Sequence, residues 1–490
     1  MTQQELEKYL WGAATALRGT IDAGDYKQYI FPLLFFKRIC DVYDEEFENA
    51  LKESDGDLEY AAFAENHHFQ IPKGAHWKNV REKTKNVGQG LQNAMRAIEK
   101  ANPDTLYGIF GDASWTNKDR LSDETLINLI EHYSKHKLSI ANVPDDKLGN
   151  AYEYLIKEFA DDSGHTAAEF YTNRTVVKLM TLIMDPQPGE SVYDPTCGSG
   201  GLLLNCALNL KEDGKEFRTL RLYGQEINLI TSAIARMNMF MHGIEEFSIV
   251  RGDTLAQPAF LENDELKKFN VVLANPPYSI KAWDRKSFES DSYGRNIWGT
   301  PPQGCADYAF QQHIQTSLDS INGRSISLWP HGILFRDSEA EMRRKMIESD
   351  VIDCVIGLGP NLFYNSPMEA CLLITKSNKE KKKKGKVLFI NAVHELRQDK
   401  SIAFLDNRHI RKIFSAYKRY EDSEDFARVI SLKEVRDNKG KLAINLYVRK
   451  GLSTSEAPSN FSEVFEDWQQ SSNQLQKSME SLFKTLEATK

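Results

Sequence analysis

From residue 1 to about 145, apolar side chains recur mostly at steps of three and four. In LEKYLWGAATALRGTIDAGDYKQYIFPLLFFKRICDVYDEEF the positions Leu10, Trp11, Leu17, Ile21, Tyr26, Tyr29, Leu33, Phe36, Ile39 and Val42 carry that rhythm, the repeat of helices with one apolar face. Gly19, Gly24 and Pro32 are expected to bend or separate them. From about 165 the texture changes to short β-branched runs alternating with helical stretches. SVYDP, RLYGQE, FSIVRGD, FNVVLANPP, SISLWP, VIDCVIGL, CLLITK and KVLFINA read as strands, with helices over 229–242 and 306–318 among the segments between them. Such alternation predicts an α/β fold with a doubly wound sheet. The lysine run at 381–384 falls between the last two strand candidates and is expected to be a solvated hairpin loop. A polar break, GLSTSEAPSN, follows at 451–460. Beyond it Phe461, Phe465, Trp468, Leu475, Met479, Leu482 and Leu486 follow alternating steps of four and three that only Ser472 interrupts, a narrow helical seam suited to one or two partner helices; a helix folded back on its own domain is the alternative, since Val464 and Phe483 widen the apolar face. Three segments result: a helical domain over 1–145, an α/β domain over 146–450 and a helical tail over 451–490.

Composition narrows the class. With 490 residues, 41% hydrophobic and 27% charged, the chain can bury a large core. No apolar run approaches the roughly 18 residues of a membrane span, and no signal peptide is seen, so a cytoplasmic location without membrane contact is expected. Six scattered cysteines without a Cys-x-x-Cys pair suggest neither a disulfide framework nor structural zinc. His67, His68 and His76 lack ligands at zinc-like spacing and are expected to be solvated loop residues. A net charge of -8 argues against a surface that grips nucleic acid everywhere; such contact must come from a local basic face or a partner.

The candidate chemistry gathers at strand ends. In DPTCGSGGLLL, strand 191–193 ends in Asp194, and Thr196, Gly198, Ser199, Gly200 and Gly201 form a turn that opens into an apolar helix. Glycines serve where the backbone must approach a ligand or take positive φ. The loop lacks the Lys-Ser/Thr of a P-loop and the Gly-x-Gly-x-x-Gly of a dinucleotide site, so a nucleotide cofactor not held by its phosphates is implied. In YGQEI, Glu226, followed by Ile227, ends the next strand, where an acid can accept hydrogen bonds from both ribose hydroxyls. Asp253 ends the third strand, placed to take an amino hydrogen from the cofactor's adenine. Open α/β sheets bind ligands at the carboxyl ends of their strands, which favours a ligand role for three acids beside one glycine turn over three surface carboxylates. The fourth strand then delivers Asn275, Pro276, Pro277 and Tyr278 to the same edge.

Asp-Pro-x-x-Gly-x-Gly-Gly followed by Asn-Pro-Pro-Tyr resembles motifs I and IV of the S-adenosyl-L-methionine-dependent amino-methyltransferases. Upstream, Glu169, Phe170, Tyr171, Thr172, Asn173 and Arg174 (EFYTNR) resemble the motif X segment that packs over the cofactor's methionine end, and the order X, I, IV is that of the γ group. LRGTIDAGDYKQYIFPLLFFKRICD, AYEYLIKEFA, GQEIN, MNMFMHGI, GRSISLWPHGILFR and VIGLGPNLFYNSPMEACLLI extend the likeness to nearly the whole chain. It resembles the methylation subunit of type I restriction-modification systems. That family usually has glycines where Ala167 and Ala168 stand, proline where Asn173 stands, and often Phe where Tyr278 stands.

The resemblance implies methylation of adenine N6 in double-stranded DNA. The exocyclic amine is a poor nucleophile because its lone pair is delocalised into the ring, and acceptors for its hydrogens let the nitrogen rehybridise. Asn275 and the backbone carbonyl of Pro276 are the expected acceptors, with Tyr278 stacking on the flipped base. Cys197 is assigned to packing, since the Pro-Cys loop of cytosine ring methylation is absent. Methylation of a protein glutamine amide is the rival within the enzyme class, because Asn-Pro-Pro-Tyr serves that chemistry too; the helical N-terminal region weighs against it. A cofactor-binding assembly subunit without catalysis is the rival from another class. Only about one helix follows residue 460, so a separate specificity subunit is expected to read the DNA sequence. A second methylation subunit and, for cleavage, a restriction subunit complete the implied partners.

Overall fold

In the computed structural model, which describes residues 1–162, 172–362, 368–399, 402–448 and 469, all eight expected strands form and lie in one sheet. They are β1 (Ser191–Asp194), β2 (Arg221–Glu226), β3 (Phe247–Arg251), β4 (Val271–Ala274), β5 (Arg324–Pro330), β6 (Ile352–Leu358), β7 (Ala370–Lys376) and β8 (Lys386–Ala392). A ninth, β9 (Ala427–Ser431), adds an antiparallel edge to β8. The spatial order is β9-β8-β6-β7-β5-β4-β1-β2-β3. β7 runs antiparallel between β5 and β6, and the pairs from β5 to β3 are parallel. β1, β4 and β6 are buried along their whole length, as central strands covered on both faces are; β4 is a continuous apolar run, while β1 and β6 bury Asp194 and Asp353 as well.

One expectation fails at the lysine run. β7 and β8 are not hairpin partners, because β6 lies between them. The connection therefore crosses the end of β6, and its lysines are used there: the buried Lys379 donates to Asp350 Oδ1 at 2.7 Å and to the Ile352 carbonyl at 2.9 Å. Lys383 is also buried, its ammonium 4.7 Å from the Tyr420 ring.

Helices cover both faces. Arg174–Met184, Gly201–Glu212 and Asn407–Arg419 pack on one side; Asp307–Thr316 and Ala340–Glu348 pack on the other. The N-terminal region is helical as expected. Gly19 (φ 84) and Gly24 lie between the helices Gln3–Leu17 and Lys27–Glu53, but the second helix runs through Pro32. Its core continues through the helix Asp145–Asp162 and takes in Ala233, Ile234, Met237 and Met241 from the sheet-flanking helix Leu229–Met241. That helix buries its other face, Ala235 and Met239, in the sheet domain.

Two of the three histidines depart from the solvated-loop expectation. His67 is buried, stacked on Tyr43 at 4.0 Å with Nε2 2.9 Å from the Ala61 carbonyl. His76 caps a short helix by accepting from Lys78 N at 3.2 Å. His68 keeps an exposed ring, held between Glu46 of the helical region and Glu245 beside β3. The tail seam from Phe461 to Leu486 lies outside the described residues apart from Gln469. Among the described residues no helix is long and apolar enough to cross a membrane.

Candidate active site at the carboxyl edge of the sheet

β1 lies between β2 and β4, so successive connections leave it in opposite directions. Such a reversal opens a crevice at the carboxyl ends of the strands. Asp194, Glu226, Asp253 and Asn275 all emerge at that edge: the first two end β1 and β2, and the others follow β3 and β4.

The turn after β1 takes positive φ at Gly198 (52°) and Gly200 (80°), the left-handed region that glycine enters without penalty. Glu226 holds this turn in place. One carboxylate oxygen accepts from Gly198 N at 3.0 Å and the other from Asn228 N at 2.9 Å. Asp253 Oδ1 accepts from Leu255 N at 2.9 Å and Ala256 N at 3.2 Å, which folds the next loop over the edge. Between them opens a cleft of about 160 Å³. Glu226, Asp253 and Asn275 line it together with Leu255, Ile280, Trp283 and Phe310. Carboxylates and apolar side chains lining one cleft suit a nucleoside: the sugar hydroxyls have acceptors and the base has apolar neighbours.

At the end of β4, Asn275 is fixed from both ends of its amide. Nδ2 donates to Thr172 Oγ1 at 3.0 Å, and Oδ1 accepts from the Tyr278 hydroxyl at 2.8 Å. Burial raises the Tyr278 phenol well above its usual range, so it remains a donor. A carbonyl oxygen accepts two hydrogen bonds, which gives Oδ1 capacity for one more.

Residues 143–456 match the family model described as N-6 DNA methylase, and residues 6–133 match the HsdM N-terminal domain. The chain belongs to the N-6 DNA methylase family. It is similar to the type I restriction enzyme MjaVIII methylase subunit of Methanocaldococcus jannaschii, 30% identical over 86% of this chain and 75% of the relative. It is similar also to the MpnII methylase subunit of Mycoplasma pneumoniae, 28% identical over 90% of this chain and 89% of the relative. Among solved structures, the type I restriction-modification system methyltransferase subunit from Streptococcus thermophilus superposes with a TM-score of 0.79 at 30% identity, covering 92% of this chain and all of that one. The methylase is therefore an adenine-specific DNA methyltransferase of the type I class, with S-adenosyl-L-methionine as cofactor.

Several residues of the methylase named from sequence carry structural duties as well. Asp194 is buried; burial pushes its carboxyl up to about 8, against the opposing Thr196 amide, which donates to Oδ1 at 3.0 Å. Gly201 makes room for a side chain: a Cβ there would fall inside the Arg174 guanidinium, which pairs with Glu153. Ser199 is buried, its carbonyl accepting from Asn238 Nδ2 at 3.1 Å. Asn173 caps the helix Arg174–Met184, its Oδ1 accepting from Thr175 N at 3.0 Å while Nδ2 donates to the Ala403 carbonyl at 3.0 Å. Asn173 thus holds the helix start by capping it. Thr196 and Ile227 line the cleft, as does Pro277, whereas Pro276 is buried. Glu169, Phe170 and Tyr171 lie outside the described residues. Cys197 is buried and burial raises its thiol far above the usual range, in keeping with a packing role.

Sequence reasoning missed Glu153, Asn238 and Gln225. Glu153 bonds Arg174 and Asn238, and through them braces the glycine turn from the helix Asp145–Asp162. Gln225 is fully buried, donates to the Gln257 carbonyl at 2.9 Å and accepts from Ala259 N at 3.0 Å, so it fixes the loop carrying Asp253. Only Gln225 had a local signal, a polar side chain inside a strand run. Glu153 and Asn238 belong to pairs far apart in sequence.

Proposed function

We propose that Asn275, Pro276, Pro277 and Tyr278 form the catalytic loop, and that they act on an adenine flipped out of double-stranded DNA. The supporting observation is the position of Asn275: it ends β4 on the wall of the acid-lined cleft, with its carbonyl oriented by Tyr278 and its amide nitrogen by Thr172. When bound, S-adenosyl-L-methionine supplies an electrophilic methyl group. Glu226 and Asp253 face its ribose and adenine in this reading, and the glycine turn from Asp194 to Gly201 admits its backbone side. Asn275 Oδ1 and the Pro276 carbonyl accept the two amino hydrogens of the target, drawing the nitrogen lone pair out of the ring. The Tyr278 ring offers its face to the base, while its hydroxyl keeps Asn275 aimed. The cationic product is acidic and loses its proton without a strong base.

The working assembly in this reading contains a second methylation subunit, a specificity subunit that reads the DNA sequence and a restriction subunit for cleavage, located in the cytoplasm with the DNA. Domain limits near 145 and 450 and a docking role for 451–490 belong to the same proposal; a chain lacking 456–490 should bind cofactor yet elute apart from its specificity subunit in size-exclusion chromatography.

Methyl transfer by the reconstituted complex, with labelled methyl donor, tests the loop. Asn275→Ala should abolish transfer and leave assembly intact. Tyr278→Phe loses one neutral hydrogen bond, about 1 kcal/mol or up to roughly fivefold in rate, whereas Tyr278→Ala also loses stacking worth about 1–3 kcal/mol. Equal losses in the two tyrosine variants would contradict a stacking role.

A further inference from the structure

The two prolines of the catalytic loop have no backbone N–H, so nothing within Pro276–Pro277 can donate a hydrogen bond to hold it. The anchor lies just beyond. Ser279 adopts φ 52, an uncommon value for a residue with a side chain and one that persists only where surroundings enforce it. Its N–H donates to Asp307 Oδ1 at 2.7 Å. Asp307 begins the helix Asp307–Thr316 and is fully buried. Its other oxygen pairs with the Arg336 guanidinium. Arg336 also donates from Nε to the fully buried Glu339 at 2.9 Å, and its Nη1 is 3.4 Å from Ser279 Oγ. The Arg336 carbonyl is in turn held by Arg343 at 2.9 Å. Cys305 lies close enough to Asp307 and Glu339 for the three to resemble a cation cage, but Arg336 already bonds both carboxylates.

We propose that Asp307 is a positioning residue for methyl transfer: held by Arg336, it fixes the Ser279 amide and so sets where the Asn275–Tyr278 loop presents its acceptors. A carboxylate bonded to a backbone N–H is a short, strong, directional contact. An ion pair behind it keeps the charge and the direction together. Small displacements of reacting groups cost large factors in rate, so a shift of this anchor by one methylene should be felt at the acceptors of the Asn275–Tyr278 loop, while Glu226 and Asp253 keep their own backbone contacts. The inference rests on the assignment of residues 275–278 as the catalytic loop.

The test compares single-turnover methyl transfer by the reconstituted complex, at saturating DNA and donor, for Asp307→Asn, Asp307→Glu and Asp307→Ala, with donor affinity measured by calorimetry. Asparagine keeps an acceptor oxygen where Ser279 needs it but loses the charge; glutamate keeps the charge for Arg336 but moves the oxygen. Positioning therefore predicts a rate within about threefold of wild type for Asp307→Asn and a loss of tenfold or more for Asp307→Glu, with donor affinity unchanged in both. An ion pair that only stabilises the fold predicts the reverse order. Asp307→Ala should be slowest; if it fails to fold, the Asn/Glu order decides alone. Glutamate as fast as asparagine, a wild-type rate in Asp307→Ala, or donor affinity falling in step with rate would overturn the proposal. Asn275→Ala run in parallel separates the two readings: wild-type transfer there defeats the loop assignment, whereas loss there with a wild-type rate in Asp307→Glu defeats only the role of Asp307.

Discussion

Replacing Glu226 with alanine should weaken cofactor binding for two separable reasons. The first is the ribose. A hydrogen bond to a charged acceptor contributes roughly 1.5–3 kcal/mol, equal to about a 10- to 150-fold loss of affinity. The second is the turn itself, because the same carboxylate accepts from Gly198 N at 3.0 Å and Asn228 N at 2.9 Å. Glu226 is only half-buried, so water reaches the freed amides, and the unliganded protein should lose no more than about 1–2 kcal/mol. Calorimetric titration with S-adenosylhomocysteine and with its 2′-deoxyribose analogue separates the two. Wild type should discriminate between the ligands, and Glu226→Ala should bind both with the same reduced affinity, since the partner of the missing hydroxyl is gone. Wild-type affinity in the variant would refute the assignment. An equal deoxy penalty in both proteins would show that the hydroxyl does not meet Glu226.

Two further outcomes depend on pH. Asp194 is an acid whose folded value, about 8, stands above its unfolded one; its destabilising effect is absent below about pH 4, grows through the interval and is complete above 8. Asp194→Asn should therefore raise the melting temperature more at pH 8.5 than at pH 5, and an equal shift at both would refute the burial argument. His68 is raised to about 10, first by Glu245 and then by Glu46, so its contribution is fully present below the unfolded value near 6.5 and is lost as pH rises through 10. The ring is 52% exposed, and solvent screening limits the effect to below about 1 kcal/mol; His68→Ala should lower the melting temperature slightly at pH 7 and not at all above pH 10.5.

What the sequence disclosed, and what it hid, follows from the range of the interactions involved. β4 announces itself because burial on both faces favours an unbroken apolar run. β9 does not: Ala427 and Ile430 are buried while Arg428 and Ser431 are exposed, so an edge strand looks like a polar loop. The lysine run suggests a hairpin only if neighbours in sequence pair, whereas β6 lies between β7 and β8. Glycine was ambiguous in the same way. Gly198 and Gly200 are required by their own backbone angles, which a turn motif encodes locally, but Gly201 is required by Arg174, which no local pattern encodes.

That distinction bears on what the helical region does for the site. The helix Leu229–Met241 places one face in the helical core and the other in the sheet domain, so the two regions share a wall rather than a linker. Across this wall Glu153 reaches Arg174 and Asn238, and Asn238 holds the Ser199 carbonyl. Each link is polar and at least half-buried, where a lost partner leaves a desolvated group behind. The glycine turn is therefore braced by two acids: Glu226, which the strand-end pattern exposes, and Glu153, which becomes visible only when the chain is folded. Movement of the helical region against the sheet would therefore strain the contacts of Glu153 and, through Arg174 and Asn238, the cofactor turn they brace.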